Sequence, residues 1–400
     1  MPVEQSPYPK MSRAAVCLLL GALLVAMLGF PVANAQQQSP LPDTQVEEYR
    51  LYLPVLSRNS TSFKVFLSLL STPLQGGSAQ RSERRSNVRL MQQRIGFVQR
   101  VGENLQLDGK PYTFIGTNVS YLAGPFFPEE KVEEIIAYLA ENGVQVIRVW
   151  VEPWCDLERV VRLVDLVGKY NVRLILTLQD FFGHKDGWWF KGKVESVDLP
   201  HIRNIVPLFA NRPEILMWEL MNEPTCPAED ANKSCWDAFV RWAAVASSEI
   251  KRLDPNHLVS VGTQRAGFDE DAIEAFRRVH ALDTIDIVSV HCGVDSLPEK
   301  ELAIAHELGK PIYFGEVAKR GLDESCQPLS NEALQQRAEA IARSISRSRE
   351  AGVDGYLLWQ YAYGGVDMGG HKEYFCGVYD YFADDPAWQV IRSATSPPTK

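Results

Sequence analysis

Eight short runs rich in β-branched and aromatic residues alternate with longer amphipathic segments, and this alternation constrains the chain more than any other feature. The runs are Thr113 to Asn118, Gln145 to Val151, Val172 to Leu178, Glu214 to Met221, His257 to Gly262, Ile285 to His291, Pro311 to Glu316 and Gly355 to Tyr361. Between them fall segments with helical spacing, such as Glu129 to Glu141, Leu157 to Tyr170, Trp236 to Leu253, Ala272 to Ala281, Glu299 to Leu308 and Asn331 to Ala351. Strands separated by helices in succession predict an α/β fold with a parallel sheet, and eight repeats predict a (β/α)8 TIM barrel. A doubly wound open sheet is the structural alternative, but no Gly-rich phosphate turn follows the first strand.

The barrel pattern accounts for residues 95–400, and what precedes it has a different character. Lys10 and Arg13 lead into the apolar run Ala14 to Phe30, and Ala33-Asn-Ala35 offers a small-residue cleavage site, so residues 1–35 read as a secretory signal peptide. A membrane anchor is the competing reading, although the run sits at the lower limit for spanning. Either Met1 or Met11 serves as the start. Residues 36–94 are rich in Ser, Gln, Arg and Pro with only two apolar islands, Tyr49 to Leu56 and Phe63 to Leu70, and read as a low-complexity linker or stalk. The mature chain is therefore expected outside the cell, without stable membrane insertion after signal cleavage. A formal charge of -9 argues against nucleic acid as a partner.

Export changes how the cysteines read. Beyond Cys17 in the leader remain Cys155, Cys226, Cys235, Cys292, Cys326 and Cys376. Cys226 and Cys235 are close enough to staple the intervening loop, and Cys326 with Cys376 is the second bridge expected. No His/Cys cluster has zinc-ligand spacing, so neither a metal nor another cofactor is implied.

In a parallel barrel the residues at the C-terminal strand ends converge on one pocket. Here those ends carry Asn118, Arg148, Gln179, Glu223, His291, Glu316 and Trp359. The stretch Glu214-Ile-Leu-Met-Trp-Glu-Leu-Met-Asn-Glu-Pro224 is the most informative of them. Pro224 cannot continue a central strand, so Glu223 falls where strand gives way to loop. Taken alone, Glu219 or Glu223 reads first as a solvated or hydrogen-bonded structural group, and only its company shifts the odds.

Trp218-Glu-Leu-Met-Asn-Glu-Pro224, followed later by Lys310-Pro-Ile-Tyr-Phe-Gly-Glu316, resembles the paired signatures of glycoside hydrolase family 5, and within it the endo-β-1,4-mannanases. The resemblance runs from about Phe97 to Ile391. It implies a retaining mechanism with Glu223 as acid/base and Glu316 as nucleophile, since retention needs two carboxyl groups about 5 to 5.5 Å apart. Arg148 is expected to hold Glu316 ionised, and the Glu316 charge to raise the pKa of Glu223. Asn222 would offer an amide to the sugar 2-hydroxyl, His291 matches a family position, and Trp359 would lie as a platform under the sugar. Trp188 and Trp189, in the loop Asp180 to Lys193, suit a polysaccharide cleft or a plug against the barrel rim.

Two departures bear on the substrate. The family's His-x-Tyr after the sixth strand is here His291-Cys292-Gly293, and a His that many relatives carry after the third strand is replaced by Gln179-Asp180. Tyr361 and Tyr363 are the candidate substitutes for the missing hydroxyl. With the leader, the resemblance implies a secreted enzyme, expected as a monomer, that cleaves β-1,4-linked polysaccharide, with mannan as the preferred substrate. The mannanase-like tracts are Leu199-Pro-His-Ile-Arg-Asn-Ile205 and Tyr379-Asp-Tyr381. An endo-β-1,4-glucanase or an exo-acting β-glycosidase of the same clan is the alternative, and a non-catalytic carbohydrate-binding barrel a third reading.

Overall fold

In a computed structural model of the protein, the described residues are 96–125, 127–180, 194–227, 231–267, 269–321, 327, 329–362 and 379–396. The expected leader and linker therefore lie outside them, as do Trp188, Trp189, Tyr363, Cys326 and Cys376. Among the described residues no helix is long and apolar enough to cross a membrane.

A small antiparallel sheet comes first, made of β1 (Val98–Val101), β2 (Asn104–Leu107) and β3 (Lys110–Pro111). Then follow β4 (Phe114–Asn118), α1 (Glu129–Glu141), β5 (Val146–Trp150), α2 (Leu157–Lys169), β6 (Arg173–Thr177), α3 (Leu199–Phe209), β7 (Ile215–Glu219) and α4 (Lys233–Leu253). The second half runs β8 (Leu258–Ser260), α5 (Glu270–His280), β9 (Val288–Gly293), α6 (Glu299–Glu307), β10 (Ile312–Ala318), α7 (Asn331–Glu350), β11 (Gly355–Leu358) and α8 (Ala387–Thr395). The eight strands from β4 onward pair in parallel in the order β8-β7-β6-β5-β4-β11-β10-β9. At the seam, Asp286 N donates to Val259 O at 2.9 Å, and Gly262 N and Thr263 N both donate to Ser289 Oγ. The (β/α)8 barrel read from the sequence is thus the architecture found. The sequence reading did not single out the small N-terminal sheet, α3 or α8 as elements.

Alternation along each strand sorts the side chains. In β5, Ile147 and Val149 join the layer between strands and helices, while Val146 joins Phe114, Ile175, Met217, Ile287 and Leu357 inside the barrel. Val98 and Leu105 of the N-terminal sheet belong to that inner cluster and close one end of the barrel. The same parity turns Arg148 inward above Val146, and it is completely buried.

Parity alone would misplace one residue. In β10, Tyr313 faces the interior, so strict alternation would send Glu316 outward. The register against β9 shifts between Phe314 and Glu316, a bulge centred on Gly315 that returns Glu316 to the inner side. A Cβ on Gly315 would lie 3.0 Å from His291 Nε2, so the bulge suits glycine for space as well as for geometry.

Candidate active site

Arg148 is the hub of the strand-end cluster. Its Nε donates to Glu219 Oε1 at 2.7 Å, Nη1 to Asn118 Oδ1 at 2.9 Å and to Glu316 Oε1 at 2.8 Å, and Nη2 to Asn222 Oδ1 at 2.8 Å. The guanidinium also lies 4.4 Å over the Trp150 ring. Burial pulls its pKa down, but the Glu219 and Glu316 charges outweigh that and leave it raised. Asn118 is fixed in turn, its Nδ2 donating to Gly315 O and Leu358 O.

Glu219 belongs to the scaffold beneath the site. It accepts from Arg148, from Thr177 Oγ1 at 2.8 Å, from Ser260 Oγ at 3.3 Å and from the Tyr313 hydroxyl. Nothing of it reaches the surface.

Glu223 lies four positions further on and has a different environment. Backbone pairing with the neighbouring strands continues past β7, ending with Asn222 N on Gln179 O and Glu223 N on Gly262 O, both at 2.8 Å. Glu223 has φ of 49°, the left-handed region, where a non-glycine residue is uncommon. Its partner Gly262 has φ of 88°, and a Cβ there would strike Met221 O at 2.0 Å, so the crossing at this point needs glycine. The Glu223 carboxylate accepts from His291 Nδ1 at 2.8 Å and from the Gln264 amide.

Glu316 faces it from β10. His291 Nδ1 is 3.5 Å from Glu316 Oε1, so this nitrogen sits between the two carboxylates. One oxygen from each, together with the imidazole nitrogen, lies within 4.8 Å of the others. Two carboxylates and an imidazole in that space are also donors a divalent cation accepts.

The electrostatics run opposite to the sequence expectation. Burial pushes up on Glu223, but the His291 hydrogen bond and charge, the Gln264 amide and Arg148 together bring its pKa below the usual value. At Glu316 burial prevails and lifts the pKa, against His291 and Arg148 and with help from the Glu223 charge. The expected split, with Arg148 keeping Glu316 low and Glu223 high, is therefore corrected for the unliganded site. The reason is local: the donors nearest Glu223 were not assigned to it from sequence, and Arg148 divides its charge between Glu316 and Glu219.

The other expected residues fall as follows. Asn222 is at the site, but its Oδ1 is engaged by Arg148 and its Nδ2 donates to Asp180 Oδ1 at 3.1 Å. Trp359 is half-buried, its ring 5.7 Å from that of Trp150. Tyr361 packs against Tyr138 and Trp388 in the outer layer. Gln264 was missed because a Gln in a loop carries no motif, and Tyr313, although inside the Lys310 to Glu316 stretch, was given no role. Behind the site, Asp198 accepts from Trp242 Nε1 at 2.6 Å and from Gln179 Nε2 at 3.1 Å, and burial pushes its pKa up to about 7. The Cys226–Cys235 bridge is present, with a Cα–Cα distance of 6.0 Å.

The barrel thus carries its two facing carboxylates on β10 and just beyond β7. Residues 180–297 match the family model described as GH family 5 beta-mannosidase-like, which bears out the resemblance read from the strand ends. Among particular relatives, the probable mannan endo-1,4-beta-mannosidase F of Neosartorya fischeri is 25% identical over 253 residues, 52% of this chain and 51% of that protein. The chain thus spans about half the length of that relative. Mannan endo-1,4-beta-mannosidase 7 of Oryza sativa is 27% identical over 342 residues, 66% of this chain and 88% of the rice protein. The endo-1,4-beta-mannanase of Rhizomucor miehei shares the fold, with a TM-score of 0.60 and 20% identity over 75% of this chain and 98% of its own.

Proposed function

We propose that the protein is a secreted, endo-acting retaining β-glycosidase that cleaves β-1,4-linked mannan. The observation that carries the mechanism is the approach of Glu223 and Glu316, whose facing oxygens lie within 4.8 Å. That spacing supports retention, since an inverting pair stands about 6.5 to 9.5 Å apart to admit a water. Mannan is favoured because both curated relatives above carry mannan endo-1,4-beta-mannosidase in their names.

In this reading Glu316 attacks the anomeric carbon while Glu223 protonates the departing glycosidic oxygen, leaving a glycosyl-enzyme ester on Glu316. Glu223, now ionised, takes a proton from water, whose oxygen displaces the ester and frees the Glu316 carboxylate. Arg148 supports this division of roles, because its guanidinium is bonded to Glu316 and not to Glu223. Glu223 is held by His291 and Gln264, donors that an incoming glycosidic oxygen can displace. In the unliganded site Glu223 is held below its usual pKa and Glu316 above, so substrate binding must raise the Glu223 pKa for it to act as the acid. Asn222 and Trp359 border the cleaved sugar.

Reducing-sugar release from a panel of mannans, glucans and xylans tests the substrate, and proton NMR of the first product anomer tests retention. Preferential release from mannan with a β-anomer first is the expected result. Release from glucan alone would move the assignment to an endoglucanase, and no release from any member would leave a carbohydrate-binding barrel.

A further inference from the structure

Six large apolar side chains are exposed among the described residues, and they divide by chemistry and place. Val101, Val161, Leu208 and Val245 are aliphatic and lie on the N-terminal sheet or on helices. Trp154 and Tyr379 are aromatic, 46% and 45% exposed, and both lie in loops that follow barrel strands at the carboxylate end. Those strands, β5 and β11, flank β4 in the sheet, so the exposed aromatics stand on the same arc of the rim as Trp150 and Trp359. Single exposed aliphatics are ordinary. Exposed aromatics confined to the face that carries the carboxylates are not accounted for by that rule.

Trp154 is also held in place. Pro153 before it has a fixed φ, and Cys155 after it is buried, its N donating to Glu152 O at 2.9 Å and its Sγ lying 3.8 Å from Trp150 O. Asp156 then caps α2 through Glu158 N at 3.0 Å. The Glu152 carboxylate, only 7% exposed, takes the indole N–H. Glu152 and Cys155 are buried on either side of the exposed Pro153-Trp154 pair, so the indole faces solvent from an anchored backbone. A path of polar groups leads from Trp154 to the carboxylates, with Glu152 beside Asp180 and Asp180 bonded to Asn222.

We propose that Trp154 is a stacking platform for an outer subsite, taking a pyranose unit of the substrate chain other than the one whose bond is cleaved. This rests on the reading of the protein as a polysaccharide hydrolase. The indole supplies a flat apolar face for the C–H surface of a sugar ring, already ordered before binding, and Glu152 and Asp180 offer acceptors to its hydroxyls. Trp154 and Glu152 act on binding of the chain and not on the reacting atoms.

The test compares the parent, Trp154→Ala, Trp154→Phe and Leu208→Ala, the last an exposed aliphatic on α3. On soluble mannan, Trp154→Ala should lower kcat/KM by about tenfold, through KM and not kcat, while Trp154→Phe recovers most of the loss and Leu208→Ala matches the parent. The loss should grow with oligosaccharide length and be smallest on an aryl glycoside. In gels containing mannan or glucan, the parent should be retarded and Trp154→Ala much less so. A parent that hydrolyses no polysaccharide but is retarded, with Trp154→Ala unretarded, would sink the hydrolase reading and keep the subsite. Equal kinetics or equal retardation of Trp154→Ala and parent would overturn the subsite, whatever the parent hydrolyses.

Discussion

Glu219 and Glu223 stand four residues apart on one stretch of chain, and their environments differ in every respect. Glu219 still belongs to β7, is fully buried, and accepts from four side chains that hold both its oxygens. Glu223 lies just past the strand, takes a left-handed backbone conformation, keeps 13% of its side chain exposed and is held by His291 and Gln264. A carboxylate with all its acceptor positions filled by scaffold donors has none left for a substrate. One at the rim, with two displaceable partners and a second carboxylate opposite, can exchange a proton. The end of a strand, more than the residue type, separates the filled carboxylate from the accessible one here.

The largest expected effects fall on the rim. In the proposed mechanism Glu316→Ala removes the attacking oxygen, and it should lower turnover by at least about 10⁴-fold, with azide restoring activity to give an inverted product. Glu223→Ala should lose about 10² to 10⁴-fold on substrates that need leaving-group protonation. It should still form the glycosyl-enzyme from an activated aryl glycoside, and azide should then give a retained product. Exchanged stereochemical outcomes would swap the two roles, and near-wild-type hydrolysis by either variant would remove the paired-carboxylate mechanism.

In the interior the readout changes from rate to stability. Glu219→Ala leaves Arg148 buried with one anionic partner instead of two and should cost about 3 to 5 kcal/mol in urea unfolding. Glu223→Ala should change stability by less than about 1 kcal/mol, because its carboxylate is partly exposed and the left-handed backbone is equally costly for Ala. If Glu219→Ala unfolded at the parent's midpoint, the contrast between the two positions would fail.

Most of this was legible in the sequence, and the part that was not has a common cause. Each of the eight barrel strands lies within or almost within its expected run, because a parallel strand buried on both faces writes a nearly unbroken apolar run between helices. Glu223, Glu316, Arg148 and His291 come together because strand ends in a barrel must converge. The pKa order of the two glutamates was not legible. It depends on where His291 Nδ1 and the Gln264 amide point, and so on the bulge at Gly315 and the crossing at Gly262, both set by three-dimensional spacing. The stretch Leu199 to Ile205 was noted for its resemblance but not as a helix, since Pro200 and Pro207 obscure its periodicity.

Asp198 gives an intermediate case, a carboxylate at the start of α3 that is buried yet charge-bearing. Burial lifts its pKa to about 7, only partly opposed by the bonds from Trp242 and Gln179. A folded pKa above the unfolded one means that the group's stabilising contribution is complete below about pH 4 and is lost as pH rises through 7. Asp198→Asn cannot ionise, so its stability relative to the parent should rise across that window, by no more than about 4 kcal/mol. Urea midpoints at pH 4 and pH 8 check this, and parallel pH profiles for the two proteins would show that Asp198 is already ionised when folded at low pH.

The smallest effect is expected from the Cys226–Cys235 bridge, and it returns to the rim. Cys226 follows Glu223-Pro224-Thr225 closely, and Cys235 sits in the first turn of α4, where Asn232 caps the helix by accepting from Ser234 N and Cys235 N. Both sulfur-bearing residues are buried, so the bridge pins the loop beyond Glu223 to the helix that packs behind β7. Closing a loop of sequence separation 9 should contribute about 2 to 3 kcal/mol by restricting the unfolded chain. The double variant Cys226→Ser/Cys235→Ser should therefore lower the unfolding free energy by that amount. Because the tether leads to Glu223 and not to Glu219, its loss should also lower kcat several-fold while leaving the Arg148–Glu219 pair in place. Non-reducing peptide mapping of the parent should recover the Cys226 and Cys235 peptides linked. Free thiols at both positions, or a double variant with the parent's stability and rate, would mean that the Glu223 loop is held by its backbone bonds to Gln179 and Gly262 alone.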